Sequence, residues 1–254
     1  MNTGSTNLLF SAWKARNRVY EELFGQPAYA LPKGNVPPTN PEPGIGRVDG
    51  SADNEADTTT TFKSQMTDVK ITVLAYAPTE SRPHWIYITS GLSNPWFAEE
   101  PNEVSGFGCE LMVKSNKDAR WAVRLLRRLC YYILSYSGTL SPGVILNMPI
   151  PLGSGGTGDL NNLVVWYADE APDCLYQLPS GVFGVFCTIG ITEDECKFAE
   201  SIDEYGPWSI QQVLRNAGLG QVTDPQRKSV MERKDIKSIL ESVRNYAENF
   251  RPVQ

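Results

Sequence analysis

Apolar positions along the chain follow two periods, with one stretch that follows neither. Over residues 7–24, Leu8, Leu9, Ala12, Val19 and Leu23 recur at helical spacing and Gly25 follows as a stop, which predicts a first helix. Residues 26–68 then hold Pro27, Pro32, Pro37, Pro38, Pro41 and Pro43, a stretch rich in Gly, Asp and Asn, and four threonines at 58–61. No apolar face recurs there. Too little surface can be buried to offset the entropy of ordering, so the segment reads as a long loop or linker, peripheral to the fold.

Regular patterning returns at residue 70. Residues 70–77 alternate Ile71, Val73 and Ala75 with Lys70, Thr72 and Leu74, the period of a half-buried strand. Residues 85–89 are β-branched and aromatic, and 107–113 form a third strand pattern. Residues 118–136 carry the strongest helical period: Trp121, Leu125, Leu129, Tyr132, Ile133 and Tyr136 on one face, Arg120, Arg124, Arg127 and Tyr131 on the other. Trp85, Phe107, Trp121, Leu125 and Leu129 are expected in one core.

A second series of strands is predicted at 144–148, 163–167 and 182–189. Thr192-Glu193-Asp194-Glu195 matches a capping box and opens a helix to about 202. Pro207 suits the first turn of a helix through 217, ended by Gly218, and 229–250 is the last helix. The order β-β-β-α, then β-β-β-α-α-α, predicts an α+β fold: a mixed, largely antiparallel sheet flanked by helices.

Composition narrows the chemistry. The chain has 254 residues, enough for an adequate core without staples. No apolar run approaches the ~20 residues of a bilayer span, and the N-terminus lacks a basic stretch followed by an apolar one, so neither a membrane protein nor a secretory signal is expected. A net charge of −6 argues against nucleic acid as the default partner. Five irregularly spaced cysteines do not form a disulfide framework, and a reducing cytoplasm is the expected compartment. With one histidine, His84, no two-histidine mechanism or His-rich metal site can be built from one chain.

Four constellations invite a chemical reading. Residues 153–158 spell G-x-G-x-x-G, but a dinucleotide site needs a helix opening at the third glycine. Here Asp159-Leu160-Asn161-Asn162 leads into strand-like Val164-Val165-Trp166-Tyr167. Cys109, in an alternating strand, reads as a small buried hydrophobe rather than a nucleophile. The acidic set Glu193, Asp194, Glu195, Glu200, Asp203 and Glu204 lacks a calcium-loop pattern and is explained by a helix N-terminus, so neither metal nor cofactor is expected. Arg120, Arg124, Arg127 and Arg128 could meet an acidic partner or a phosphate backbone, and read here as a solvated face.

Together the strands and turns resemble the Suppressor of fused domain family. His84-Trp85-Ile86-Tyr87-Ile88-Thr89-Ser90-Gly91-Leu92-Ser93 is similar to that family's W-x-Y-x-(T/S)-x-G-L-S, and Ser105-Gly106-Phe107-Gly108-Cys109-Glu110-Leu111 to its S-G-(F/W)-G-F-E-L. Arg120-Trp121-Ala122 resembles its P-x-W-P helix start, 140–146 its segment around P-G-H-T-L, and 183–195 its block ending in G-I-T-x-x-E-L. Residues 207–219 followed by Thr223-Asp224-Pro225-Gln226-Arg227 resemble its helix and T-D-x-x-R, and Leu23-Phe24-Gly25-Gln26-Pro27 its F-G-x-P. The departures are Asn94, Cys109, Ala122 and Val144; the last removes a histidine and favours a non-enzymatic protein.

The resemblance implies an α+β protein-binding domain over 69–230, preceded by an N-terminal helix (1–25) and the linker (26–68) and followed by a C-terminal helix (229–254) packed on the same domain. Animal members are cytoplasmic regulators that clamp a peptide of a transcription factor between this domain and a second one. That second domain is not expected here, which likens the chain to short bacterial-type members with a proposed immunity role against toxins. The expected function is therefore cofactor-free protein binding, with a basic toxin domain as one candidate partner. The alternative is a nucleotide-binding protein or enzyme using 153–158. The expected partner surface is Tyr87, the loop residues Asn94, Trp96, Phe97, Glu99 and Glu100, and Glu110. For Glu110 a structural role stays open beside the binding one: its carboxylate would satisfy amides of the turn at 91–93 or pair with an arginine.

Overall fold

The computed structural model describes residues 3–28, 59–63, 68–96, 98–136, 140–153 and 158–249. The chain runs α1 (Thr3–Phe24), β1 (Thr59–Lys63), β2 (Asp68–Tyr76), β3 (Trp85–Ser90), β4 (Val104–Ser115), α2 (Arg120–Tyr136), β5 (Ile145–Asn147), β6 (Leu160–Tyr167), β7 (Tyr176–Leu178), β8 (Gly181–Thr192), α3 (Glu193–Glu200), α4 (Gly206–Asn216) and α5 (Lys237–Asn249). One sheet joins the strands in the order β1-β2-β3-β4-β8-β6-β5, with β7 on the start of β8. Among the described strands only β4 and β8 pair in parallel. The fold is thus α+β, a mixed and largely antiparallel sheet.

Helices cover both faces, which is why the long central strands β4 and β8 are buried over most of their length. On one face, Trp121, Leu125, Leu129 and Ile133 of α2 pack on Val73, Leu111, Val113 and Val165, with Trp85 and Phe107 against the same cluster, so the five expected core residues do meet. On the other face, Ala12, Tyr20 and Phe24 of α1 share a cluster with Ile210 and Val213 of α4 and Val243 of α5, over Ile86, Ile88, Met112 and Val185.

Several expectations need correction. The stretch read as a linker contains β1, which pairs antiparallel with β2 from Thr59↔Thr72 to Lys63↔Asp68. A threonine-rich edge strand draws its stability from ladder bonds, and so carries no apolar period to read. Residues 29–58 and 64–67 lie outside the described residues. The last helix starts at Lys237, not 229, because the preceding backbone bonds elsewhere: Val230 N donates to Glu195 Oε1 at 3.0 Å. In α1 the most buried stripe is Ala12, Arg16, Tyr20 and Phe24, which keeps Ala12 but lies one residue beyond Val19 and Leu23 of the apolar positions that predicted the helix.

The glycine-rich loop is followed by a strand. Gly158 stands two residues before β6, and a Cβ there would lie 2.4 Å from the Pro225 carbonyl oxygen, so this glycine permits close backbone packing. Residues 154–157 lie outside the described residues.

Candidate functional site

The β3–β4 ladder ends at Ile88↔Met112, and the two strands part beyond it. Side chains replace the lost backbone pairing. Thr89 Oγ1 accepts from Leu111 N at 2.9 Å and donates to Glu110 Oε2 at 2.6 Å. Glu110 Oε1 accepts from Gly91 N at 2.9 Å, Ser93 N at 3.0 Å and Ser93 Oγ at 2.7 Å. The turn it holds is pressed against β4: a Cβ on Gly106, whose φ is +57°, would lie 2.4 Å from the carbonyl oxygens of Leu92 and Asn94. Only glycine allows that approach at a positive φ.

Arg16 of α1 reaches this turn from above. Its Nη1 lies 3.4 Å from Glu110 Oε1, with both side chains at 0% exposure. Nη1 also donates to Asn94 Oδ1 and, at 3.3 Å, to Ser93 Oγ, while Nη2 donates to Ser90 Oγ at 2.9 Å. Tyr20, one turn on, donates to Thr89 O at 2.7 Å; burial first, and the Glu110 charge second, raise its phenol well above the ordinary range. Burial, with Glu110 next to it, also pushes the Cys109 thiol up to about 12. That side chain is buried and protonated, which does not suit a nucleophile.

Between α1 and the sheet lies a cleft of about 660 Å³. Leu9, Phe10 and Trp13 form its helical wall, Leu74 and Tyr76 its sheet wall, and Asn94 and Trp96 close one end beside Arg16. Phe10 and Trp13 are 58% and 41% exposed, with ring centroids 5.9 Å apart. Aromatic side chains left in water at the lip of a concave apolar surface are the usual mark of a binding site.

The expected partner surface is therefore redrawn. Asn94 and Trp96 do meet at the cleft, although Asn94 is buried and the Trp96 indole N–H is tied to Gly91 O at 2.6 Å. Glu99 and Glu100 are exposed in the following loop, and Phe97 lies outside the described residues. Tyr87 and Glu110 are not surface residues. The Tyr87 hydroxyl donates to Asp118 Oδ1 and accepts from Ala119 N, both at 2.6 Å, on the opposite face where it holds the start of α2. Glu110 takes the structural role in both its forms, amide acceptor and arginine partner. Arg16, Phe10 and Trp13 went unread because α1 carries no motif; the available signal was a charged residue at i, i+4 spacing within a buried stripe.

Two other charged groups are structural. Glu195 accepts from Thr192 N at 2.9 Å in the predicted capping box, and Arg227 Nη1 and Nη2 donate to its two oxygens at 2.6 Å each. His84 Nε2 contacts Glu170 Oε1 at 2.9 Å, and Lys114 pairs with Oε2 of the same carboxylate. Burial alone would raise the Glu170 carboxyl, but the His84 bond and the Lys114 charge outweigh it and hold it down to about 2. Among the described residues no group of His, Cys, Asp and Glu is arranged to hold a metal ion, and no helix is long and apolar enough to cross a membrane.

Fold and cleft define an α+β domain with helices on both faces of a mixed sheet. Residues 67–228 match the model of the Suppressor of fused protein (SUFU) family, and the chain belongs to that family. The crystal structure of Drosophila Suppressor of fused superposes with a TM-score of 0.59 and 21% identity over 71% of this chain; this chain covers 46% of that one. A chain of the Sufu–Fu complex crystal structure gives 0.62 and 18% over 93% of this chain and 96% of that one. A SUFU homolog from Neisseria gonorrhoeae gives 0.47 and 16% over 67% of this chain and 86% of that one. At these identities the likeness concerns the fold alone. No curated protein matches significantly.

Proposed function

We propose that this domain binds a protein partner through the α1–sheet cleft, without cofactor or catalysis. The observation that carries the reading is the exposed Phe10–Trp13 pair on a cleft that ends at Asn94 and Trp96. The buried Arg16–Glu110 network fixes the end of the cleft, so a ligand meets a preorganised surface. Membership of a family with a solved Sufu–Fu complex supports a protein as the ligand. All five cysteines are unpaired, in keeping with a reducing cytoplasm.

The finer reading is an immunity role, in which a basic toxin domain is held inactive. Exposed Glu99 and Glu100 beside Trp96 and the net charge of −6 support a basic partner by steering. A peptide library displayed against the full chain, with Phe10→Ala/Trp13→Ala as the counter-target, tests the cleft. Ligands of the parent should lose about tenfold or more in affinity for the variant. Ligands indifferent to both substitutions would place binding elsewhere. A dinucleotide that stabilises the chain by about 2.7 kcal/mol at 100 times its dissociation constant would favour the glycine-loop alternative.

A further inference from the structure

Residues 119–158 contain four arginines and no Asp, Glu or Lys, in a chain with 29 acidic residues. All four arginines lie on α2. At 3.6 residues per turn, Arg120, Arg124, Arg127, Arg128 and Tyr131 fall within an arc of about 100° over about 16 Å of helix. That arc is opposite the stripe Ala122, Leu125, Leu129 and Ile133, which is buried on the sheet. Tyr131 stands 43% exposed among the arginines.

This arrangement works against the helix that carries it. Arg120–Arg124 and Arg124–Arg128 are like-charge pairs at i, i+4, and Arg120 stands at the positive end of the helix dipole. A face kept only for solvation gains from acids at those spacings, and α2 has none. Arginine and tyrosine without lysine is the composition of protein contact surfaces, where lysine is depleted.

We propose that the outer face of α2 is a docking surface for an acidic segment of a protein, with Arg124, Arg128 and Tyr131 as its central contacts. Guanidinium forks receive carboxylates in bidentate pairs, and a stripe of this length matches a short acidic peptide. The surface lies on the sheet face opposite the α1 cleft, so it goes beyond the cleft reading and stands or falls apart from it. Nucleic acid fits less well. A duplex outruns the stripe and meets the rest of the chain, where 19 basic residues face 29 acidic ones once these four are set aside.

The test is fluorescence anisotropy of the full chain at low salt with a labelled poly-Glu peptide of about 20 residues, and in parallel with a DNA duplex of about 20 base pairs. The peptide is expected to bind saturably and to weaken as salt rises. Arg124→Gln/Arg128→Gln should lower its affinity about tenfold or more, while the thermal midpoint stays level or rises as the repulsion is relieved. Phe10→Ala should leave peptide binding unchanged. Absence of peptide binding, equal binding by the double variant, or a duplex bound as tightly as the peptide would each overturn the proposal.

Discussion

Two glutamates of this domain are buried beside an arginine, yet they hold different things together. Glu195 closes a helix start: its oxygens accept from Thr192 N, Val230 N and a two-pronged Arg227, all gathered at one corner of the fold. Arg227 also donates to Gly190 O and reaches the solvent boundary. Glu110 instead stands in for a missing stretch of β-ladder, and its arginine arrives from α1, far away in the chain, with most of its hydrogen bonds spent on Ser90, Ser93 and Asn94. One pair sits at the solvent boundary; the other is dry and joins residues much further apart in the chain. The same two residue types therefore differ in what their loss exposes.

The largest expected effect follows from that difference. Arg16→Met leaves the Glu110 carboxylate in the interior without a cation and should cost about 3–5 kcal/mol in urea unfolding. Arg227→Met should cost less, about 1–3 kcal/mol, because water can reach the vacated edge, whereas Glu110 lies in a dry interior. Equal losses would break the distinction. Adding Glu110→Gln to Arg16→Met should recover part of the loss, since the uncompensated charge is then gone.

The half-buried His84–Glu170–Lys114 group sharpens the comparison on the pH axis. Glu170 titrates near 2 in the fold, below its ordinary 4.5. A depressed folded value means stability present above about pH 4.5 and lost as the pH falls toward 2. The shift corresponds to at most about 3–4 kcal/mol. In unfolding curves between pH 6 and 2, the advantage of the parent over Glu170→Gln should shrink across that window. An advantage unchanged down to about pH 2 would mean that His84 and Lys114 do not hold the carboxylate.

A contact made by an uncharged side chain should matter less than any of these. Tyr87→Phe removes the hydroxyl between Asp118 and the α2 start and is expected to cost about 1–2 kcal/mol by thermal unfolding. A shift within about 0.5 kcal/mol would mean that α2 docks by its apolar face alone.

How much of this could be read in advance depended on distance along the chain. The α2 core face, the central strands and the Thr192-to-Glu195 cap declare themselves within a few residues, because periodicity and capping are local. β1 has too little apolar contrast to register. The partner of Glu110 was unreadable for another reason: which arginine folds onto a turn is decided by how α1 crosses the sheet, and no local pattern encodes that crossing. The motif W-x-Y with G-L-S and the following Glu marked the right turn. Whether Tyr87 and Glu110 face solvent depended on the helices on either side: Tyr87, expected at the surface, is internal, and of the two roles open for Glu110 the buried one fits its contacts.

The smallest stability effect is expected on the same helix as the largest. Phe10 and Trp13 face water from α1, neighbours at i, i+3 on one side of the stripe that carries Ala12 and Arg16 inward. Truncating a side chain that is mostly in water removes little buried area, so Phe10→Ala should stay within about 0.5–1 kcal/mol of the parent, and Trp13→Ala, which is more covered, within about 1–2 kcal/mol. The aromatic pair is then an expense in solubility that the fold does not require. If either substitution costs as much as about 3 kcal/mol, the pair packs into the domain, and the cleft loses its claim as a binding surface. Near-neutral stability with ligand affinity cut about tenfold would divide α1 into an inner face that holds the turn and an outer face that meets the partner.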